Sequence, residues 1–244
     1  MRLPTLQGII KRRILVNFRA DPDRIQALLP NSFRPKLHHG KAIAGICLIR
    51  LEHIRPKHVP EFAGISSENA AHRIAVEWDQ DGETREGVFI PRRDTNSTLN
   101  ALAGGTLFPG EHNMADFTVV ETGEGIDFSM RSRDEKIKVD LTGKFSNDFP
   151  GDSIFDSLDE SSGFFEKGSL GYSVTKGQKH LDGITLNTKQ WSVEPLSVSA
   201  VHSSFYEDET IFPEGTIEFD HALLMRNIEH EWHSAPDYQL VNDE

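Results

Sequence analysis

Cysteine is nearly absent. The single copy, Cys47, rules out an internal disulfide and any cysteine-rich zinc site. Basic residues are also in the minority, 26 Lys and Arg against 38 Asp and Glu, so the 244-residue chain carries a formal net charge of −12. That balance repels phosphate backbones and anionic lipid headgroups, and neither nucleic acid nor a membrane surface is an expected partner. Long hydrophobic runs are missing as well: no stretch reaches the roughly 18 apolar residues of a membrane span. The first 18 residues interrupt their apolar positions with Lys11, Arg12 and Arg13, where a signal peptide requires an unbroken apolar region. The expected compartment is therefore a reducing cytoplasm, in which the sequon Asn96-Ser97-Thr98 has no consequence. Only 12 prolines and an ordinary 26% of charged residues argue against disorder, while 15 Phe help to fill a sizeable core. One domain over residues 1–244 is expected, since all-β chains of this length often form a single unit.

What is present reads as many short strands with two or three short helices. Ile9 to Phe18 forms a strand with a basic middle. Asp21-Pro22-Asp23 then opens a helix through Ile25, Leu28 and Leu29, with Asp21 as cap, Pro22 at the first position and Pro30 as stop. Ala42 to Glu52 is apolar and β-branched, a buried strand in which Cys47 reads as an inert thiol. Residues Arg55 to Ala70, richer in Pro, Gly and Ser, read as a loop wrapped over a pocket. His72–Trp78 and Arg85–Ile90 flank the turn Asp79-Gln80-Asp81-Gly82 and form a hairpin. Asp94 or Thr95 would cap a helix through Leu99, Leu102 and Ala103, ended by Gly104-Gly105. Phe117–Glu121, Ile126–Arg131 and the alternating Ile137, Val139 and Leu141 make a three-strand meander, and Phe145 to Glu160 is a long connection with a short helix near Leu158, Phe164 and Phe165. Further strands fall at Leu170–Thr175, Ile184–Leu186, Ser197–Phe205 and Leu224–Trp232. The fold class is mainly β (α+β), an antiparallel cone-shaped or barrel-like sheet open at one end.

Standard chemical signatures are few. His230-Glu231-Trp232-His233 spaces its histidines three apart rather than four, so it does not make a zinc helix, and no metal site is expected. His38-His39 precede Gly40 in a turn. No glycine-rich phosphate loop and no nucleophile elbow occur, and no cofactor is expected. Arg92-Arg93, after Pro91 at the end of an apolar strand, are the most suggestive cations: a guanidinium aimed into a sheet interior wants a planar anion such as a carboxylate, unless an acidic residue already pairs with it. His112, after Gly110-Glu111, is a further candidate.

Several segments, in order, resemble the acetoacetate decarboxylase-like superfamily, and most closely its bacterial branch known as a domain of unknown function. They are Ile14 to Pro22 with Leu28-Leu29-Pro30, Gly87-Val88-Phe89-Ile90-Pro91-Arg92-Arg93, Leu107-Phe108-Pro109-Gly110 to Phe117, and Gln190 to Leu196. The second of these is similar to the family's tyrosine-proline-lysine-lysine strand end. There the first lysine forms a Schiff base with a β-keto acid, and the matching position here is Arg92. A guanidinium stays protonated and forms no imine, so the resemblance implies a member lacking the Schiff-base lysine. By the same likeness Lys11 or Arg12 falls near a family arginine, and Glu61 near a family glutamate beside the nucleophile. Family members often assemble, which makes a homo-oligomer the expectation.

Three functional readings follow. In the first, a cone-shaped sheet binds a small anionic organic ligand, a carboxylate or oxo compound, through Arg92 with Arg93 and Arg12. In the second, a non-covalent lyase or hydratase uses Arg92 as electrophile and Glu61 or His112 as base. In the third, an acidic interaction module docks a basic partner.

Overall fold

The computed structural model describes residues 4–102, 110–175 and 180–240. The first half consists of β1 (Leu6–Ala20), α1 (Pro22–Gln26), β2 (Arg34–Pro35), β3 (Leu37–His38), β4 (Lys41–Pro56), β5 (Ile65–Gln80), β6 (Glu83–Thr95) and α2 (Thr98–Leu102). The second half consists of β7 (His112–Glu121), β8 (Gly125–Ser132), β9 (Lys138–Phe145), α3 (Leu158–Glu166), β10 (Leu170–Val174), β11 (His180–Thr188), β12 (Glu194–Ser203), β13 (Ile217–Ser234) and β14 (Tyr238–Gln239).

Thirteen of the strands pair in the order β14-β11-β10-β6-β7-β8-β9-β12-β13-β1-β4-β5-β2, and β3 pairs with β4. Because β5 also pairs with β6, and β11 with β13, the path closes on itself. The sheet is antiparallel except where β6 runs parallel to β7 and to β10. Those two parallel pairs depart from the all-antiparallel expectation, and each requires a crossover rather than a hairpin.

Local signals explain several elements. Asp21 caps α1 by accepting from the amides of Asp23 and Arg24, with Pro22 in the first turn. The β5–β6 hairpin turns on Asp81 and Gly82, whose φ values of 54° and 78° are the two positive angles that a tight twisted hairpin requires. Strands β1 and β4 bury both faces. Ile14, Val16, Ile46 and Leu48 enter one apolar cluster, while their neighbours Leu15, Cys47 and Ile49 enter a second that also holds Phe165 of α3. Double-sided burial is why these strands read as continuous apolar runs.

Two expectations are corrected. The region 55–70 is not a wrapping loop: residues from Ile65 onward belong to β5, held between β4 and β6, and its polar stretch is used inside the sheet, where Glu68 pairs with Arg12. Asp94 and Thr95 end β6 rather than cap α2, although Thr95 Oγ1 does accept from the Ser97 amide; Ala103 to Gly105 lie outside the described residues.

Gly45 on β4 faces the backbone carbonyl of Val16, and a Cβ there would also come within 3.3 Å of the Arg73 guanidinium. Gly45→Ala should therefore lower unfolding free energy by about 1–3 kcal/mol through overpacking. A urea midpoint equal to wild type would show that this close approach is not a constraint.

Candidate functional site

The second apolar cluster is not filled to its end. Between the sheet and α3 lies a cavity of about 140 Å³, bordered by Leu15, Ile49, Ala71, Ile90, Phe165 and Trp232 among others. Its polar lining holds three arginines, Arg13 from β1, Arg73 from β5 and Arg93 from β6, with His112 of β7 beside them and one carboxylate, Asp94, which is paired to Arg92.

Strand register produces this grouping. One row of paired positions crosses five strands, Leu15 to Cys47 to Ala71 to Arg93 to His112. Small Ala71 in the middle of the row, and Ala75 four residues on along the same strand face, leave the space that the cavity occupies. The next row pairs Gly45 with Arg73, and the missing side chain at Gly45 makes room for the guanidinium.

None of the three arginines has a carboxylate within salt-bridge distance among the described residues. Arg13 donates from Nε to Cys47 Sγ at 3.1 Å and approaches Met225 Sδ at 4.0 Å. Arg93 donates to Ser173 Oγ at 3.0 Å. Arg73 donates to Asn17 Oδ1, lies 4.7 Å from the centre of the Phe165 ring, and leaves its buried Nε without a hydrogen-bond partner. Burial pulls Arg73 and Arg93 down to about 10, so both stay charged at neutral pH. Arg73 is buried while Arg13 and Arg93 are half-buried at the cavity wall; a guanidinium charge held in a protein interior without a salt-bridge partner costs several kcal/mol, which an anion in the cavity would offset.

Arg73 is held by a buried chain of hydrogen bonds. Asp220 Oδ2 accepts from His221 Nδ1 at 2.5 Å; His221 Nε2 then accepts from Asn17 Nδ2 at 3.0 Å, and Asn17 Oδ1 receives the Arg73 proton. Ser161 Oγ of α3 also meets His221 Nε2, at 2.7 Å. Asp, His and Ser in this order resemble a hydrolytic triad, but Ser161 is fully buried and the chain's role is to fasten α3 to the sheet.

The sequence candidates scatter. Arg92 does not line this cavity. It is clamped by Asp94 at 2.7–3.1 Å and by Asp134 at 2.9 Å, and it borders a separate polar recess of about 230 Å³. The reason is a bulge: Ile74 pairs with Phe89 and His72 with Arg92, so β6 carries one extra residue around Pro91. Strict alternation from Ile90 would turn Arg92 inward; the bulge turns Arg93 inward instead. Arg12 is buried against Glu68 at 2.6 Å and Glu121 at 3.6 Å, away from the cavity lining. Glu61 sits in a short turn with its side chain 60% exposed, 3.6 Å from His53. Of the proposed set, the structure brings together only Arg93 and His112. Burial and the Arg93 charge push His112 down to about 3, leaving it neutral.

Arg13, Arg73 and Cys47 line the cavity and are not among the sequence candidates. The available signal was alternation: Arg13 shares a face with Leu15, and Arg73 stands between Ala71 and Ala75, a lone charge flanked by small residues inside a strand. Lys36 also lines the cavity, ion-paired to Glu86 at 2.5 Å and 4.2 Å over the Phe164 ring. Among the described residues two groups could hold a metal ion, His38 with His39 and Glu160, and His180 with Asp182 and Asp237; in each the ligand atoms lie within 4.8 Å of one another.

The same architecture recurs in solved structures. Acetoacetate decarboxylase from Legionella pneumophila subsp. pneumophila str. Philadelphia 1 superposes with a TM-score of 0.58 at 12% identity, over 97% of this chain and 89% of that one. Enduracididine biosynthesis enzyme MppR with HEPES bound gives 0.59 at 12% identity, over 99% and 90%. MppR complexed with pyruvate gives 0.57 at 13% identity, over 99% and 92%. The fold is thus that of the acetoacetate decarboxylase-like proteins. Within it, the chain belongs to the DUF2071 family, "Uncharacterized conserved protein (COG2071)", whose family model matches residues 10–221. The search of curated proteins gives no match.

Buried histidines set the acid stability. Burial holds His72 and His112 near 3 and His230 near 4, against about 6.5 in an unfolded chain. These lowered values contribute stability that is complete above pH 6.5 and is lost as pH falls toward 3–4. With three such groups the unfolding free energy should drop by up to about 4 kcal/mol per pH unit. Urea titrations at pH 7, 6 and 5 measure this directly, and a flat profile contradicts it.

Proposed function

We propose that the cavity binds a small carboxylate-bearing oxo compound, with Arg13, Arg73 and Arg93 as its anion clamp and no imine to a lysine. The observation that carries this reading is the set of three cavity-lining guanidiniums that form no salt bridge among the described residues. The apolar wall opposite suits a short carbon skeleton, and the volume suits a small molecule rather than a polymer. The MppR structures, one of them complexed with pyruvate, support an oxo acid as the ligand class. The clamp is Arg93 rather than Arg92, because two carboxylates already satisfy Arg92.

A second reading has one observation in its favour. His112 and Arg93 stand together in the cavity, so a guanidinium that polarises a carbonyl would have a neutral imidazole beside it.

Thermal-shift measurements with pyruvate and with acetoacetate test the clamp. At 100-fold its dissociation constant a ligand adds about 2.7 kcal/mol, some 5–10 °C for a chain of this size. Arg93→Ala should weaken binding about 10–100-fold, the cost of a charge-assisted pair. Arg92→Ala should lower the Tm by leaving Asp94 buried without its partner, yet keep the ligand-induced shift. Loss of the shift in Arg92→Ala but not in Arg93→Ala would overturn the assignment.

Imine chemistry is checked by incubating the protein with acetoacetate and borohydride. We expect no mass increase, and a stoichiometric adduct on Lys36 or any other lysine contradicts the non-covalent reading.

A further inference from the structure

We infer that Cys47 is a nucleophile of the cavity, aimed at an electrophilic carbon of the anion that Arg13, Arg73 and Arg93 would hold. This rests on the anion-clamp reading and adds a covalent partner to it.

Several observations converge on the thiol. Cys47 lines the cavity and is 8% exposed, so the small area it shows faces the same space as the three guanidiniums. Arg13 Nε donates to its sulfur at 3.1 Å, although a sulfur is a weak acceptor for a cation that elsewhere would take a carboxylate. Arg73 and Arg93 line the same cavity as the sulfur. Arg73, 4% exposed, leaves Nε unpartnered at the same cavity. Reactive cysteines occupy electropositive surroundings of this kind, whereas structural ones sit among apolar groups.

Register supplies the reach. Cys47 and Arg93 lie in one row with only Ala71 between them, two strand spacings or roughly 10 Å from backbone to backbone. The methyl of Ala71 fills little of that gap. A carboxylate on the guanidiniums would set the adjoining carbon of a short oxo acid over the sulfur.

The step balances without any further reagent. The sulfur electron pair forms the bond to the carbonyl carbon, and the C=O π pair moves onto oxygen. The proton released by the thiol ends on that oxygen, giving a hemithioketal with no oxidation or reduction. A neighbouring guanidinium stabilises the oxyanion as it develops.

The test compares two alkylating probes that differ in charge, iodoacetate and iodoacetamide, on the full chain, with mass spectrometry as readout. Cys47 is the only cysteine, so any thiol adduct is on it. In both reagents the S–C bond forms as iodide leaves. We expect folded protein to react at least ten times faster with iodoacetate than with iodoacetamide, pyruvate to slow the reaction, and urea-unfolded protein to lose the preference. Arg13→Gln should reduce the iodoacetate rate while retaining more of the iodoacetamide rate. Cys47→Ser controls for labelling elsewhere.

The outcomes separate the two readings. If folded Cys47 reacts with neither reagent, or faster with iodoacetamide, while pyruvate still raises the wild-type Tm, the nucleophile is overturned and the clamp stands. If neither labelling nor stabilisation occurs, both fall. If iodoacetate-selective labelling occurs without a pyruvate shift, the nucleophile stands and pyruvate alone is removed as the occupant.

Discussion

Holding Arg73 inside the sheet without an acid against it is the demand around which the centre of this molecule is organised. A guanidinium in that position needs neutral acceptors, and the fold supplies one through Asn17, which His221 orients and Asp220 in turn anchors. The negative charge is thus placed at the far end of a neutral relay. Moving Asp220 next to the arginine would cancel the field that faces the cavity; removing it would leave His221 without its fixed tautomer. The same relay meets Ser161, so the helix that covers the cavity and the cation beneath it share one set of hydrogen bonds.

Position and cover are therefore coupled. Phe165 rests on the Arg73 guanidinium and Phe164 under Lys36, while Trp191 Nε1 donates to Ser162 Oγ of the same helix. The nine-residue helix is too short to be stable by itself and takes its stability from these contacts. An anion that drew Arg73 toward itself would pull on Asn17, and through His221 on the helix.

Much of the architecture was legible because it is written locally. Asp21-Pro22 starts a helix wherever it precedes an amphipathic run, and Asp81-Gly82 turns a hairpin by its own backbone preferences. The resemblance to the acetoacetate decarboxylase-like superfamily likewise rested on segments read in order along the chain. The site was legible only in part. Which of Arg92 and Arg93 enters the interior depends on one extra residue near Pro91, and a bulge is visible only once β5 lies alongside. Ser66 to Asn69 read as loop by composition, yet the polar groups of that segment are consumed by partners from β1 and from the loop after β6. Cys47 read as inert because its neighbours in sequence are apolar, whereas its neighbour in space is Arg13.

The order of strand pairing has a consequence of a different kind. The two ends of the path are β2 and β14, each only two residues long, and the remaining long strands have partners on both sides for at least part of their length. Unpaired strand edges are where sheets recruit foreign chains, so an extensive β structure is ordinarily an invitation to stack. Here the two ends of the path are blunted by their shortness, and among the described residues the open backbone lies within the path instead, along Ala115–Glu121 of β7 and Ser197–Ser203 of β12, which pair on one side only.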